Sequence, residues 1–430
     1  MISRHEEKFD VIVAGAGPAG IAAALEAVRF GQRVGVLDDN PRPGGQIWRG
    51  GPFAHSSPRA RHWLQRLGQS DVRVISGARV VDCDSGRIHA ESSDDFFSLE
   101  YRSLVLATGA RELFLPFPGW TLGNVFGAGG LQAMVKSGLP IEGKRVVIAG
   151  TGPLLLAVAA YLAEAGARVV CICEQTSRAR LARFAFSMGA IPGKLIEGLQ
   201  LRKKMGFVPY WTNCWPTAAL GSAQIEAVQL SHGGRKREIP CDYLACGFHL
   251  VPNLELAKLM GCRIRDGFVD VDEFQQTSTP NVFSAGEPTG IGGLELSLAE
   301  GQVAGASAAN RKDLARDFFA QRARYRRAVG AMRRAFELRN ELQPLAQPKT
   351  ILCRCEDVPF EKIRVHGSWR EAKLHTRCGM GPCQGRICGA AVEFLFGWDV
   401  GPVRPPIFPA RLESLAAKSG GPDAATTHGG

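Results

Sequence analysis

The tightest constraint on this chain lies near its start. Val11–Ala14 form an apolar strand that runs straight into Gly15-Ala16-Gly17-Pro18-Ala19-Gly20; a helical stretch, Ile21–Phe30, follows, and a second strand, Arg33–Leu37, ends on Asp38. Strand, glycine loop, helix and strand in so short a unit predict a parallel βαβ crossover with a nucleotide-binding turn. The three glycines have separate jobs. Gly15 makes the tight turn, Gly17 lets the backbone approach a pyrophosphate, and Gly20 lets the helix pack closely on the strand. Phosphate then sits on the helix N-terminus, with Pro18 and Ala19 of the loop beside it, where unpaired N–H groups and the helix dipole favour negative charge. Asp38 can accept hydrogen bonds from an adenosine ribose.

The same order returns from Lys144. Arg145–Ala149 repeat the strand, Gly150-Thr151-Gly152-Pro153-Leu154-Leu155 repeat the loop with its third glycine replaced, and Glu174 closes the next strand. A carboxylate there suits a ribose with free hydroxyls, so Gly150, Gly152 and Glu174 form a candidate site for NAD(P) or another adenine nucleotide, NAD being favoured over NADP. The alternative is a retained fold that only shapes the domain. Leu155 is expected to push the helix away from the strand. Two further short strands are expected, Tyr101–Thr108 and Asn281–Ala285, ending at Ala107-Thr108-Gly109 and Gly286-Glu287.

Composition narrows the class. With 430 residues, 45% hydrophobic and 22% charged, the chain can bury two or three ordinary cores. Met1–Asp10 is polar and offers no apolar leader, which points to the cytoplasm, and Val146–Ala163 is broken by glycines and does not span a membrane. The net charge of +11 concentrates on one expected helix, Arg311–Asn340. There Phe318, Tyr325, Val329, Met332 and Phe336 form an apolar face and leave Arg322, Arg326, Arg327, Arg333 and Arg334 outward. That reads as a solvated basic face or a docking face for an acidic partner, with no nucleic-acid partner. Of the twelve cysteines, seven are scattered (Cys83, Cys171, Cys173, Cys214, Cys241, Cys246, Cys262) and five crowd between Cys353 and Cys388. Cys171 and Cys173 lie on one strand and point the same way into a core, so they do not form a redox-active C-x-x-C. No residue is assigned as catalytic acid or base, and His249 reads as a core or loop group.

On the two glycine motifs, with Pro43-Gly44-Gly45-Gln46, Ala107-Thr108-Gly109 and Gly286-Glu287, the chain resembles the thioredoxin reductase and glutathione reductase relatives over residues 9 to 310. The resemblance implies FAD, lined by Gly45, Gln46, Thr108, Gly109, Gly286 and Glu287. Where that family has Asp, this chain has Glu287, expected on the ribitol or pyrophosphate side of FAD. Gly290, Gly292 and Gly293 would bring a helix N-terminus to the flavin ring, where its dipole stabilises negative charge.

The crowded cysteines read Cys353-Arg-Cys355 and Thr376-Arg-Cys378-Gly-Met-Gly-Pro-Cys383-Gln-Gly-Arg-Ile-Cys388. Thiolates are soft ligands for iron or zinc, and glycine turns let backbone N–H groups approach sulfur. Structural zinc remains open on chemistry alone. The segment resembles the bacterioferritin-associated-ferredoxin (BFD) type of 2Fe-2S domain, and that resemblance assigns Cys353, Cys355, Cys383 and Cys388 as ligands, with Cys378 in reserve.

FAD in tandem Rossmann folds followed by such a cluster resembles, over nearly the whole chain, the alpha subunits of heteromeric FAD/2Fe-2S amino-acid dehydrogenases. These are the alpha (A) chain of opine oxidase, its counterpart (the B chain) in hydrogen cyanide synthase, and the alpha chains of D-hydroxyproline or proline dehydrogenases. The fold class implied is α/β, with two tandem Rossmann-like domains, FAD and NAD(P)-type, plus a small C-terminal BFD-like 2Fe-2S domain. The expected division is 1–119 with 265–342 for FAD, 120–264 for the NAD(P)-type fold, a linker at 343–349, 350–410 for the cluster and a largely disordered tail at 411–430. The partners implied are a flavoprotein beta subunit of the D-amino-acid-oxidase-like kind, a small ferredoxin-like gamma subunit, and a respiratory acceptor, which would hold the complex at the periphery of the membrane. The rivals are a self-sufficient NAD(P)H-dependent reductase and a structural scaffold.

Overall fold

A computed structural model describes residues 2–49, 57–187, 198, 200–203 and 205–419. The chain divides into two compact units, the first made of Met1–Ala110, Pro252–Arg326 and Pro402–Gly430, the second of Arg111–Val251 and Arg327–Gly401. The cuts at 110/111 and 251/252 fall earlier than the expected 119/120 and 264/265. Among the described residues no helix is long and apolar enough to cross a membrane.

In the first unit, β1 (Ser3–Ala14), β2 (Val34–Asp38), β3 (Arg73–Ser76), β4 (Arg79–Asp84), β5 (Arg87–Glu91) and β6 (Asp95–Leu106) join in the order β3-β2-β1-β6-β5-β4. β1, β2, β3 and β6 pair in parallel, and β5 turns antiparallel on β6. Val11, Ile12 and Val13 are wholly buried, as expected of a parallel strand covered on both faces. Helix α1 (Pro18–Arg29) crosses from β1 to β2 with Gly17 as its N-cap.

The second unit follows the same plan. β7 (Val125–Gly127), β8 (Arg145–Gly150), β9 (Arg168–Glu174), β10 (Tyr210–Thr212) and β11 (Tyr243–Gly247) form a sheet in the order β10-β9-β8-β11-β7, parallel throughout. α2 (Leu154–Glu164) is the crossover from β8 to β9. A three-stranded antiparallel sheet, Cys214–Gly221, Ile225–His232 and Arg235–Pro240, is inserted before β11.

The chain then returns to the first unit. β12 (Val282–Ser284) adds in parallel to the late half of β6, and α3 (Gly293–Ala308) lies on α1. Their contact is at backbone distance: a Cβ on Gly301 would stand 2.2 Å from the Ala19 carbonyl oxygen, and one on Gly305 2.2 Å from that of Ala23. Two glycines four apart meet two alanines four apart, so each lies one above the other on its helix face.

The single helix expected over 311–340 is broken. Lys312–Ala315 is helical, Arg316–Phe318 is a 3-10 turn, α4 spans Phe319–Ala335, and an irregular stretch precedes a 3-10 turn at Asn340–Leu345. Arg322 does not face outward as expected, whereas Arg326 is exposed and reaches in to a buried carboxylate. Arg322 is buried and donates to the Glu273 carbonyl and Gln275 Oε1, and Arg326 pairs with buried Glu300. A buried carboxylate demands a cation, and that demand overrides the amphipathic pattern. Arg327, Arg333 and Arg334 are exposed.

In place of a free linker at 343–349, Leu342 and Leu345 anchor in the core of the second unit, and the Trp120 indole donates to the Ile351 carbonyl at 2.6 Å. The cysteine-rich segment has its own small core of Leu352, Val358, Ile363, Trp369, Ala372 and Val392, built from the hairpin Ile351–Cys353/Val358–Pro359, α5 (Trp369–Thr376) and α6 (Cys388–Phe396). The expected disordered tail is ordered at its start. Arg411 binds Glu91 and the Ser92 carbonyl, and Leu412–Ser419 is a helix whose Lys418 pairs with Asp82. The remainder, 420–430, lies outside the described residues.

Candidate functional site

The first glycine loop is built for close approach. Gly15 (φ +110°) could not carry a Cβ, which would stand 2.3 Å from the Ala107 carbonyl oxygen; at Gly20 the same atom would fall 1.8 Å from the Gly15 carbonyl oxygen. Gly44 N donates to the Ala16 carbonyl at 2.8 Å, and a Cβ on Gly45 would reach Gly17 Cα at 2.9 Å, so the Pro43–Gln46 turn lies directly on the loop. The first turn of α1 carries no acidic residue and no side-chain cap, which leaves its N–H groups to an anion. Asp38 is buried; its Oδ2 accepts from Ala16 N at 2.5 Å and its Oδ1 from Asn40 N at 2.8 Å. Its first task is therefore to brace the loop.

The other expected FAD residues converge in the same unit. Thr108 and Gly109 are fixed by Asn253, which accepts from Thr108 Oγ1 at its carbonyl (2.7 Å), donates from Nδ2 to the Thr108 carbonyl (2.8 Å) and from its backbone N–H to the Gly109 carbonyl (3.0 Å). Gly286 (φ +80°) abuts Ala19, where a Cβ would stand at 2.8 Å. Gly109, Gly290 and Gly293 are half-buried yet have nothing within 4 Å of a Cβ position, the open room that a bound ring system requires.

Glu287 has partners within the protein. Its Oε1 accepts from Gly293 N (3.0 Å) and its Oε2 from Gly292 N (3.1 Å), so the carboxylate curls back onto the N-terminus of α3. The additional methylene relative to Asp permits that reach. Burial raises its pKa to about 7, against the pull of those two N–H groups, and Glu300 adds to the rise.

Glu300 was not foreseen. Its Oε2 accepts from Gly286 N (3.1 Å) and Thr289 Oγ1 (2.7 Å), while its Oε1 takes Arg326 Nε and Nη2 at 3.1 and 2.9 Å. It ties the 286–290 loop to α4. Asn253 and Glu300 had no sequence signal, since their partners lie far away in the chain. Gly301 and Gly305 did have one, in the matched spacing with Ala19 and Ala23.

The second glycine loop has a different fate. Gly152 takes φ +93° where Gly17 has φ −74°, and α2 begins at Leu154, one position later than α1. Leu155 is accommodated because Gly247 gives it room: a Cβ on Gly247 would lie 3.2 Å from Leu155 Cδ2. Glu174 is fully buried and accepts from Thr151 Oγ1 (2.9 Å), Thr176 N (2.8 Å) and Gly152 N (2.8 Å); burial raises its pKa.

The crevice outside the carboxyl ends of the strands, where open α/β sheets bind ligands, holds residues 335–339 of the chain itself. Phe336 is buried over Gly152 and meets Phe184 edge-on at 5.0 Å. His249 Nε2 donates to its carbonyl (2.9 Å), Gln175 Nε2 donates to the Glu337 carbonyl (2.9 Å), and Arg339 donates to the Gln175 carbonyl (3.2 Å) and to Asn213 Oδ1. Contrary to expectation, Gly150, Gly152 and Glu174 do not line a cleft open to a nucleotide.

All five crowded cysteines come together, in two sets. Cys353, Cys378 and Cys388 are buried with their sulfurs within 4.8 Å of one another. Exposed Cys355 and half-buried Cys383 interact with each other. Hydrogen bonds from Cys378 and Cys388, with N–H groups of Gly379 and Glu356, hold the Cys353 thiol far down, at about 2. Three buried sulfurs within 4.8 Å of one another fit a thiolate-bound metal group, and Gly381, where a Cβ would stand 2.4 Å from Cys355 Cβ, explains the glycine-rich turn. Of the four expected ligands, only Cys353 and Cys388 belong to the buried set, which Cys378 completes. Cys171 and Cys173 are elsewhere in the second unit, wholly buried with sulfurs 3.8 Å apart.

A family model described as pyridine nucleotide-disulphide oxidoreductase matches residues 9–310. The A chain of opine oxidase from Rhizobium meliloti is 32% identical, the match covering 95% of this chain and 88% of that protein. The HcnB chain of hydrogen cyanide synthase from Pseudomonas aeruginosa is 31% identical over 88% of this chain and 90% of its own. Among solved structures, L-proline dehydrogenase from P. horikoshii aligns with a TM-score of 0.66 at 20% identity, covering 96% of this chain and 81% of that one, a likeness of fold.

Proposed function

Because the chain belongs to the pyridine nucleotide-disulphide oxidoreductase family and, within it, to the group of the opine oxidase A chain and the hydrogen cyanide synthase HcnB chain, we propose that it is the electron-transferring alpha subunit of a multi-subunit amino-acid or opine dehydrogenase. It is an FAD-dependent oxidoreductase of that kind, and its relatives are named as subunits. In this reading a separate flavoprotein beta subunit, similar to D-amino-acid oxidases, oxidises the C–N bond of an opine, glycine, proline derivative or other amino acid. A small ferredoxin-like gamma subunit joins them, and a respiratory acceptor takes the electrons, the complex lying in the cytoplasm or at the inner face of the membrane.

FAD accepts electrons in pairs and a 2Fe-2S cluster passes them singly, so a chain holding both joins two-electron to one-electron transfer. The chain's residues have stated parts. Gly15, Gly17, Gly20 and the uncapped start of α1 admit the pyrophosphate. Asp38 braces that loop beside the ribose. Thr108, Gly109, Gly290 and Gly293 bound the open space for the ring. Glu287 holds a proton or releases it near neutral pH at the N-terminus of α3. Cys353 and Cys388 serve as one ligand pair and Cys355 and Cys383 as the other.

The observation that carries this reading is that the second crevice is filled by residues 335–339 of the chain itself. With the strand ends of the second fold covered in this way, NAD(P)H cannot reach a flavin from that crevice, and electrons enter from a partner. Anaerobic mixing tests it. NADH added to the purified chain should leave the flavin absorbance unbleached over minutes, while substrate added to the co-purified complex should bleach it. Rapid bleaching by NADH alone would support the self-sufficient reductase instead.

A further inference from the structure

Five cysteines stand where four complete a 2Fe-2S cluster, and their surroundings differ. Each iron of such a cluster takes two thiolates. In the 2Fe-2S reading the outer pair, exposed Cys355 and half-buried Cys383, supplies two. The inner group offers three: Cys353, Cys378 and Cys388 are each at most 1% exposed and mutually within 4.8 Å. Tetrahedral metal–sulfur bonds of about 2.3 Å put two thiolates on one metal roughly 3.8 Å apart. All three inner sulfurs are therefore within a small side-chain adjustment of the same metal.

The position of Cys378 is set by the protein around it. It follows Arg377, a left-handed C-cap (φ 65°) of α5, and its N–H donates to Thr376 Oγ1 at 3.2 Å. Gly379, next in the chain, packs so tightly on Trp369 that a Cβ would stand 2.5 Å from the ring, and its N–H donates to Cys353 Sγ at 3.5 Å. A buried cysteine is often only a small apolar filler. Filling alone does not call for a sulfur placed against two other sulfurs that the cluster uses.

Resting on the 2Fe-2S reading above, we propose that Cys378 is a built-in substitute ligand for the buried iron, so that the inner half of the cluster survives loss of Cys388 while the outer half survives no loss.

The test counts iron, acid-labile sulfide and FAD per chain, and records the electron paramagnetic resonance spectrum of the reduced full-length protein prepared anaerobically. The variants are Cys378→Ser, Cys388→Ser, Cys383→Ser and the double Cys378→Ser/Cys388→Ser. Cys388→Ser should keep at least about half the wild-type iron with shifted g values, whereas Cys383→Ser and the double variant should each lose iron by about tenfold or more. Cys378→Ser should keep the wild-type spectrum. FAD, whose expected ligands all lie in the other unit, should stay bound in every variant and so reports that the chain has folded.

Loss of iron from Cys388→Ser as complete as from Cys383→Ser overturns the proposal. So does loss from Cys378→Ser alone, which would make it an obligatory ligand. Iron retained in the double variant also overturns it, since serine at 388 would then be the ligand. Wild-type protein that holds zinc, or no metal, fails differently: it removes the 2Fe-2S reading itself.

Discussion

The two nucleotide folds of this chain begin with nearly the same motif, G-A-G-P-A-G in one and G-T-G-P-L-L in the other, and end in opposite conditions. In the first, Gly15 and Gly20 are each required by a close approach within the loop, and Gly45 by its contact with Gly17. In the second, the third glycine has become Leu155, Gly247 provides the missing space, and residues 335–339 lie across the strand ends. A glycine motif therefore reports how a backbone turns. Whether a nucleotide can enter depends on what distant chain covers the turn.

The comparison breaks most sharply at its matched third position. Gly20→Val puts a branched side chain where even a Cβ stands 1.8 Å from the Gly15 carbonyl. The chain should lose all bound flavin and more than about 4 kcal/mol of stability, read by the flavin absorbance of the purified protein and by thermal unfolding. Leu155→Gly restores the motif in the second fold, yet should confer no NADH binding by calorimetry, because the crevice stays filled.

Phe336→Ala tests that filling directly. The ring is buried against Gly152 and Phe184, so its removal should cost about 3–5 kcal/mol in denaturant unfolding, with flavin content unchanged. A cost near zero accompanied by tight NADH binding would mean that the segment is a removable cover, and the two crevices would then differ in degree only.

These cases also mark what could be read in the sequence. The geometry of the first loop was legible because its requirements are local: turn and helix packing fall within Gly15–Gly20, and Asp38 ends the next strand. The clustering of the cysteines was legible from spacing, but their division into a buried trio and an outer pair was not, since nothing in the spacing tells which sulfurs the Trp369 core encloses. The cover over the second crevice was hidden in a pattern that pointed elsewhere. Phe336 continues the apolar spacing of Phe318, Tyr325, Val329 and Met332, so it reads as the end of one helix face, whereas the helix stops at Ala335 and Phe336 packs on the Gly152 loop far back in the chain.

Glu287 sharpens the comparison through pH. With a folded pKa of about 7 against 4.5 for the ordinary group, the native chain holds a proton that the unfolded chain has released between those values. Stability of the flavin-free chain from this group is then complete below about pH 4.5 and is lost as pH rises through about 7, by at most roughly 3 kcal/mol. Glu287→Gln should flatten that slope in unfolding curves taken from pH 5 to 8. Glu174 is also raised by burial, but three protein donors brace its carboxylate, and Glu174→Gln should misplace Gly152 and Thr151 and leave flavin binding intact.

The smallest expected effect concerns the basic helix. Glu300 is 2% exposed and Arg326 is 41% exposed at its side chain, so the pair is screened from one side and its loss is moderated. Arg326→Met keeps the aliphatic stem, removes the cation, and leaves Glu300 with only Gly286 N and Thr289 Oγ1 as donors. A penalty of about 2 kcal/mol follows, between that of exposed and fully buried pairs. Because Glu300 grips the loop that carries Glu287, the loss should appear as weaker FAD retention on dialysis. Arg327→Met, one residue along on the exposed face, should change neither stability nor flavin content. If both substitutions behave alike, the inward pair has no part in holding the first site, and the helix is the solvated basic surface that its pattern suggested.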